Sequence, residues 1–129
     1  MNTFILCAFG WIVPGGAHLL MRRYLQFAVF AAVVWISFGA GIALDGGMTW
    51  PDSADLAGLD TAATLVFRAG AAAKAFAGAP FLAARLWVGE VPFADSRLHE
   101  YGTTLLTMAG LFNLLAISSA LDVRKERSE

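Results

Sequence analysis

The chain has 129 residues, of which 58% are hydrophobic and only 15% are charged, and its formal net charge is −1. Because soluble domains carry about a quarter charged residues, this composition predicts an integral membrane protein, and the charge balance argues against the concentrated basic surface that nucleic-acid binding requires. The single cysteine, Cys7, excludes an intramolecular disulfide and a thiolate metal cluster.

The first apolar segment, residues 3–21, is predicted to form a span that is interrupted at Pro14, Gly15 and Gly16. It lacks the basic region and the small-residue cleavage site of a secretory signal, so we treat it as part of the mature protein. Proline removes a backbone donor and glycine weakens a helix, so a neighbouring helix or water must satisfy the freed groups. We interpret the break as a hinge, a kink or helix end near a membrane face, and not as a ligand site.

The longest apolar run follows the two arginines of this hinge and covers residues 24–44. A helix rises about 1.5 Å per residue, so roughly 20 apolar positions match the roughly 30 Å hydrocarbon core of a bilayer. The run therefore predicts a transmembrane helix.

Two sets of motifs resemble those of known families of membrane proteins. The segment 14–24 (PGGAHLLMRRY), with the apolar span after it, resembles the hinge of the two-span "transmembrane-two" domain. Segments 101–104 (YGTT), 109–115 (AGLFNLL) and 121–122 (LD) are similar to the end of an uncharacterised family of small bacterial membrane proteins that combine both features. At positions 21–22 the chain has Met-Arg where a glycine–basic pair is more usual. The resemblance implies a membrane protein without an established activity, and it supplies no catalytic residues.

The middle of the chain is less regular. Residues 45–60 hold four aspartates and no cation, with glycines and a proline, and are predicted to form an acidic loop. They lack the ligand spacing of a calcium loop, so we predict no metal site there. Residues 61–89 are alanine-rich but contain three cations and Pro80. Each cation at the bilayer centre costs roughly 2.5–3.5 kcal/mol. Two placements stay open: an interfacial or re-entrant helix, or a crossing whose small residues pack and whose cations pair or reach headgroups.

The C-terminal third predicts a polar loop at 90–102, a span at 103–121 and a basic tail at 122–129. By the positive-inside rule, the hinge arginines and the tail should face the cytoplasm and the acidic loop should lie outside. This arrangement favours three spans in which 61–89 does not cross, although a four-span version remains open.

The predicted fold is an all-α integral membrane protein, one domain over residues 1–129, with a small bundle of three or four helices. Small residues in membrane helices allow close backbone contact, and an intramembrane amide commonly hydrogen-bonds to a neighbouring helix. The residues that we predict to pack helices together are Gly39, Gly41, Gly70, Gly78, Gly110 and Asn113.

His18 is the candidate cofactor contact, because an axial ligand to haem or a pigment needs only one histidine facing an apolar gap. We favour the alternative, a hinge histidine that caps backbone groups freed by Pro14. The chain has no His-Glu-x-x-His motif, and its intramembrane serines have no histidine at a comparable depth, so we expect no enzyme.

Three function classes remain: a non-catalytic membrane subunit or scaffold, a self-assembling channel or transporter lined by Arg68, Lys74 and Asn113, and a haem- or pigment-contacting accessory subunit that uses His18. Composition favours the first, because transport demands more intramembrane polar residues than this chain offers. The expected partners are membrane lipids and a larger membrane-protein complex or further copies of the chain, without nucleic acid, in the bacterial inner membrane.

Overall fold

A computed structural model describes residues 2–44, 46, 57–58, 60–87 and 97–129. Within these ranges every regular element is an α-helix, which confirms the predicted all-α class. The six helices are α1 (Thr3–Ile12), α2 (Gly16–Leu20), α3 (Tyr24–Ala43), α4 (Thr61–Ala75), α5 (Ala79–Trp87) and α6 (Arg97–Ser128). Most of the predicted acidic loop and residues 90–96 of the predicted polar loop lie outside the described residues.

Side-chain caps fix where two of the helices begin. The Asn2 side chain accepts a hydrogen bond from the Phe4 amide at 3.1 Å and begins α1. The Asp60 carboxylate accepts one from the Ala63 amide at 2.8 Å and begins α4. Each cap satisfies one of the amides that a helix N-terminus leaves without an intrahelical partner.

Helices α3 and α6 are long and apolar enough to cross a membrane, with 20 and 32 residues. They run antiparallel, because Gly41 near the end of α3 lies against Gly102 near the start of α6, and Met21, just before α3, packs beside Leu121. With roughly 1.5 Å per residue, α6 is about 48 Å long and exceeds the hydrocarbon thickness. The helix therefore includes residues 97–102, predicted as loop, and residues 122–128, predicted as tail.

Helices α1 and α2 form a hairpin beside the C-terminal half of α6. The guanidinium of Arg124 donates to the Thr3 hydroxyl at 2.7 Å, which places the start of α1 near the end of α6. The returning helix α2 leads to the same end, since Ala17 and Met21 form one buried cluster with Leu6 and Ala120. The predicted span 3–21 is thus two short helices whose outer ends lie together.

The backbone between α1 and α2 explains this reversal. Pro14 has no amide to continue the helix, and Gly15 takes a left-handed conformation with φ +76°, which glycine adopts without steric cost. The sequence marks the break, but the direction of the chain after it depends on the neighbouring helices.

Helices α4 and α5 occupy the other half of the bundle. Helix α4 runs in the same direction as α6, since Gly70 lies near Thr107 and Gly110 lies against Ala73. After α4 the chain bends by 96° at Gly78, which has φ +78°. Helix α5 then packs against the second half of α3, between Trp35 and Ile42. Counted as one element, the bent pair is also long and apolar enough to be a third span.

The two halves of the chain have the same order of elements. Each half has a helix (α1 or α4), a glycine with positive φ (Gly15 or Gly78), a short helix (α2 or α5) and then a long helix (α3 or α6). Because α3 and α6 are antiparallel, the turn of the first half and the turn of the second half approach each other from opposite ends of the bundle.

Candidate functional site

The two turns meet at Asn113, the fully buried amide at the middle of α6. Its Nδ2 group donates to the carbonyl oxygens of Trp11 at 3.1 Å and Phe76 at 2.7 Å. Its Oδ1 atom accepts a hydrogen bond from the Gly15 amide at 3.4 Å. One side chain therefore joins α6 to the end of α1, to the turn before α2 and to the bend after α4.

These partners are backbone groups that the broken helices leave unsatisfied. Where a helix ends, its last carbonyls lose their intrahelical donors, and in an apolar medium no water replaces them. The Trp11 indole adds a further bond by donating from Nε1 to the Ala75 carbonyl oxygen at 3.0 Å. We call Trp11, Gly15, Ala75, Phe76 and Asn113 the Asn113 junction.

Glycines allow the backbones around the junction to approach closely. A Cβ atom at Gly78 would overlap the Trp11 carbonyl oxygen, and a Cβ atom at Gly110 would overlap the Ala73 carbonyl oxygen. At the start of α6, a Cβ atom on Gly41 would lie 2.8 Å from the Leu106 side chain. These three predicted packing glycines therefore lie where main chain or a buried leucine leaves no room for a side chain.

The other two predicted packing glycines lie in more open surroundings. A Cβ atom on Gly70 would meet only the Thr107 hydroxyl, at 3.9 Å, and one on Gly39 would meet no described atom within 4 Å. Gly39 instead lines an apolar cavity of about 240 Å³ between α3 and α5, together with Trp35, Phe38, Ile42, Pro80, Ala83, Ala84 and Trp87.

His18 is enclosed within the bundle and is 0% exposed. Its ring stacks on Phe30 with centroids 5.2 Å apart and an interplanar angle of 4°. Among the described residues, neither ring nitrogen makes a hydrogen bond of good geometry, although the backbone of Ala116 lies close enough to interact. The expected capping of the break by His18 therefore does not occur, and Asn113 satisfies the Gly15 amide instead.

The surroundings of His18 also do not fit a haem or a similar pigment. Phe30 covers one face of the imidazole, and the ring has no exposed edge against which a macrocycle could lie. The apolar cavity beside Gly39 is not lined by His18.

The three residues proposed to line a transport path do not share one surface. Asn113 is fully buried and hydrogen-bonded to the protein itself, and Lys74 is buried at 6% exposure. Arg68 is exposed on the outside of α4. The described structure therefore places these side chains in separate environments.

Sequence reasoning missed two contributors to this architecture. Trp11 was one apolar residue among many, and only the fold brings its indole to the end of α4. Gly102 was assigned to a polar loop, yet it packs against Gly41 and Gly46 where the end of α3 lies against the start of α6. Its position within the YGTT motif was the available signal.

These features define a class: a small helical membrane protein with two long antiparallel helices and two broken helix pairs that meet at a buried amide. The chain belongs to the family of unknown function DUF6677, which matches residues 5–129 and so agrees with the expectation of an uncharacterised family. No curated protein and no solved structure matches the chain significantly.

Proposed function

We propose that this protein is a non-catalytic subunit of a membrane-protein complex and that it binds a transmembrane helix of its partner along the outer face of α3. The observation that carries the proposal is the exposure of α3. Nine of its 20 residues are exposed and three are buried. The exposed side chains are therefore available to lipid or to another helix.

The outer face of α3 has the composition of a helix-packing surface. Exposed alanines recur along it at spacings of four and eleven, which places them on one side of a helix. They are Ala28, Ala32 and Ala43, with the larger exposed residues Leu25, Val29 and Ile36 beside them. Small residues let helix backbones approach closely in a membrane, and the large neighbours supply contact area.

The Asn113 junction supports a scaffold role over a catalytic one. Both donor hydrogens and the carbonyl oxygen of the Asn113 amide bind backbone groups of the same chain. A substrate would have to displace these bonds to reach the amide. We therefore assign the junction to holding the two helix pairs in place and the outer surface to partner binding, in the bacterial inner membrane with the hinge arginines facing the cytoplasm.

Ala32→Leu tests the proposed surface. Ala32 is exposed on the outer face of α3 and does not line the cavity toward α5, so we expect the monomer to fold normally. It would prevent close approach of a partner helix, and we expect recovery of the complex to fall at least about tenfold, the equivalent of ~1.4 kcal/mol. The measurement is crosslinking in native membranes followed by native mass spectrometry in mild detergent.

Ala69→Leu is the matched control, because Ala69 is exposed on α4, away from the α3 surface. We expect this variant and the unaltered protein to run in the same defined complex with a larger membrane protein. A wild-type chain that runs only as a free monomer, or an Ala32→Leu variant that assembles normally, would contradict the proposal. A complex that contains only copies of this chain would indicate self-association and would contradict the larger partner.

A second candidate, a small channel or transporter, is favoured by the broken helix pairs that meet near the middle of the bundle. Transporters commonly place substrate sites where discontinuous helices meet at the bilayer midplane. Ion or solute flux into liposomes containing the purified protein, absent from protein-free liposomes, would support this candidate. The absence of flux across a panel of ions would remove it.

A further inference from the structure

Arginines from two distant parts of the chain converge at one end of the bundle. Arg22 and Arg23 form the hinge between α2 and α3, and the preceding Met21 packs in a cluster that includes Leu121 and Val123 of α6. The next turns of α6 carry Arg124 and Arg127. We call these four residues the arginine end; about 100 residues of chain separate its two parts.

The charges on the last turns of α6 are segregated by face. Arg124 and Arg127 continue the buried face of the helix, which includes Ala116 and Ala120, beyond the end of the packed bundle. The nearby acids are spaced by four and three residues and lie on a different face; they are Asp122, Glu126 and Glu129. The guanidinium of Arg124 donates to the Thr3 hydroxyl at the start of α1. The exposed Arg127 lies on the same face of α6 one turn further on, away from the carboxylates.

The backbone of the hinge includes one strained residue, Arg22. Arg22 has φ +59° and is the one described non-glycine residue with positive φ. Residues with a Cβ atom rarely adopt this conformation. It is held by bonds from its amide to the Leu19 carbonyl at 3.0 Å and from the Arg23 amide to the His18 carbonyl at 2.9 Å. These bonds end α2 and leave two consecutive arginines at the end of the hairpin.

We propose that the arginine end binds the phosphate headgroups of anionic phospholipids in the adjacent leaflet. Guanidinium groups match phosphate oxygens with paired hydrogen bonds, and basic clusters beside membrane helices attract anionic lipids. The side chains next to the hinge are apolar and exposed, with Leu25 at 75% and Tyr24 at 63%. An exposed tyrosine beside arginines is typical of the headgroup level of a bilayer.

The test compares phosphatidylglycerol with phosphatidylcholine of the same acyl chains, added to the detergent-purified full chain and measured by native mass spectrometry. We expect phosphatidylglycerol to bind at least about 25-fold more tightly. Each arginine near an anionic surface contributes about fivefold in affinity, equivalent to ~1 kcal/mol. Arg23→Gln combined with Arg127→Gln should therefore weaken phosphatidylglycerol binding by about 25-fold and leave phosphatidylcholine binding unchanged.

Arg97→Gln is the matched control, since Arg97 is an exposed arginine at the opposite end of α6. It should retain full phosphatidylglycerol binding. Equal binding of the two lipids, or an equal loss in Arg97→Gln, would overturn the proposal. Displacement of phosphatidylglycerol by an equal concentration of inorganic phosphate would indicate a free-phosphate site and would also overturn it.

Arg22→Gly separates lipid binding from folding. Glycine adopts positive φ without strain, so we expect the thermal unfolding midpoint to stay unchanged or to rise, while phosphatidylglycerol binding falls by about fivefold. Unchanged lipid binding in this variant, together with unchanged binding in Arg23→Gln combined with Arg127→Gln, would refute a role for the arginine end.

Discussion

Asn113→Leu is expected to lower the free energy of unfolding by about 3–5 kcal/mol. The substitution keeps the branching of the side chain but removes the bonds to the Trp11 and Phe76 carbonyls and to the Gly15 amide. Each buried polar group left without a partner costs about 1–3 kcal/mol. Because the affected groups belong to two different helix breaks, we expect both helix pairs to loosen together.

Thermal unfolding in detergent, followed by circular dichroism and by limited proteolysis, measures this effect. Ser118→Ala is the control, because Ser118 is an exposed residue of the same helix one turn beyond the junction. It should change stability by less than about 0.5 kcal/mol. If Asn113→Leu were as stable as this control, the three hydrogen bonds would not hold the helix pairs in place.

Gly110→Ala is expected to cost about 3 kcal/mol, since the added Cβ atom overlaps the Ala73 carbonyl oxygen and forces α4 away from α6. The same change at Gly39 should raise helix stability by about 0.5–1 kcal/mol. That position is helical and has no described atom within 4 Å of the added carbon. The two variants add the same methyl group, at a packed position in Gly110→Ala and at an open position in Gly39→Ala.

The measurement is the unfolding midpoint of both variants in the same detergent, with far-ultraviolet circular dichroism to check helix content. A difference of about 3–4 kcal/mol between them is the expected result. Similar stabilities would show that α4 and α6 are not in backbone contact at Gly110.

The sequence was sufficient to predict the long central helix and the position of the first break. The run 24–44 has the length and composition of a span, and α3 covers Tyr24–Ala43. Pro14 and Gly15 predict a break because of their own backbone chemistry, and α1 ends at Ile12. Both features depend on local sequence, which is why they can be read without a structure.

The direction of the chain after each break could not be predicted, because it depends on contacts between distant residues. The turn at Gly15 is held by Asn113, 98 residues away, and the bend at Gly78 lies against Trp11. The same dependence on distant contacts explains why the placement of residues 61–89 could not be predicted. Their cations argued against a simple crossing, and α4 and α5 form a bent pair. Only the contacts with α3 and α6 place this pair in one half of the bundle.

Helices α1 and α2 form a hairpin, and we expect that they do not cross the membrane as one span. The two alternatives differ in where the start of α1 lies relative to the arginine hinge. In the hairpin, Thr3 lies beside Arg124 and close to the end of α6. In a span over 3–21, the two ends of the segment would face opposite sides.

Single-cysteine labelling in intact and permeabilised cells tests this claim most directly. Cys7 is first replaced by serine, and one cysteine is introduced at Asn2, Arg22, Thr61 or Glu129. The hairpin predicts that positions 2, 22 and 129 react with an impermeant reagent from the same side of the membrane and that position 61 reacts from the other. Labelling of positions 2 and 22 from opposite sides would contradict the hairpin.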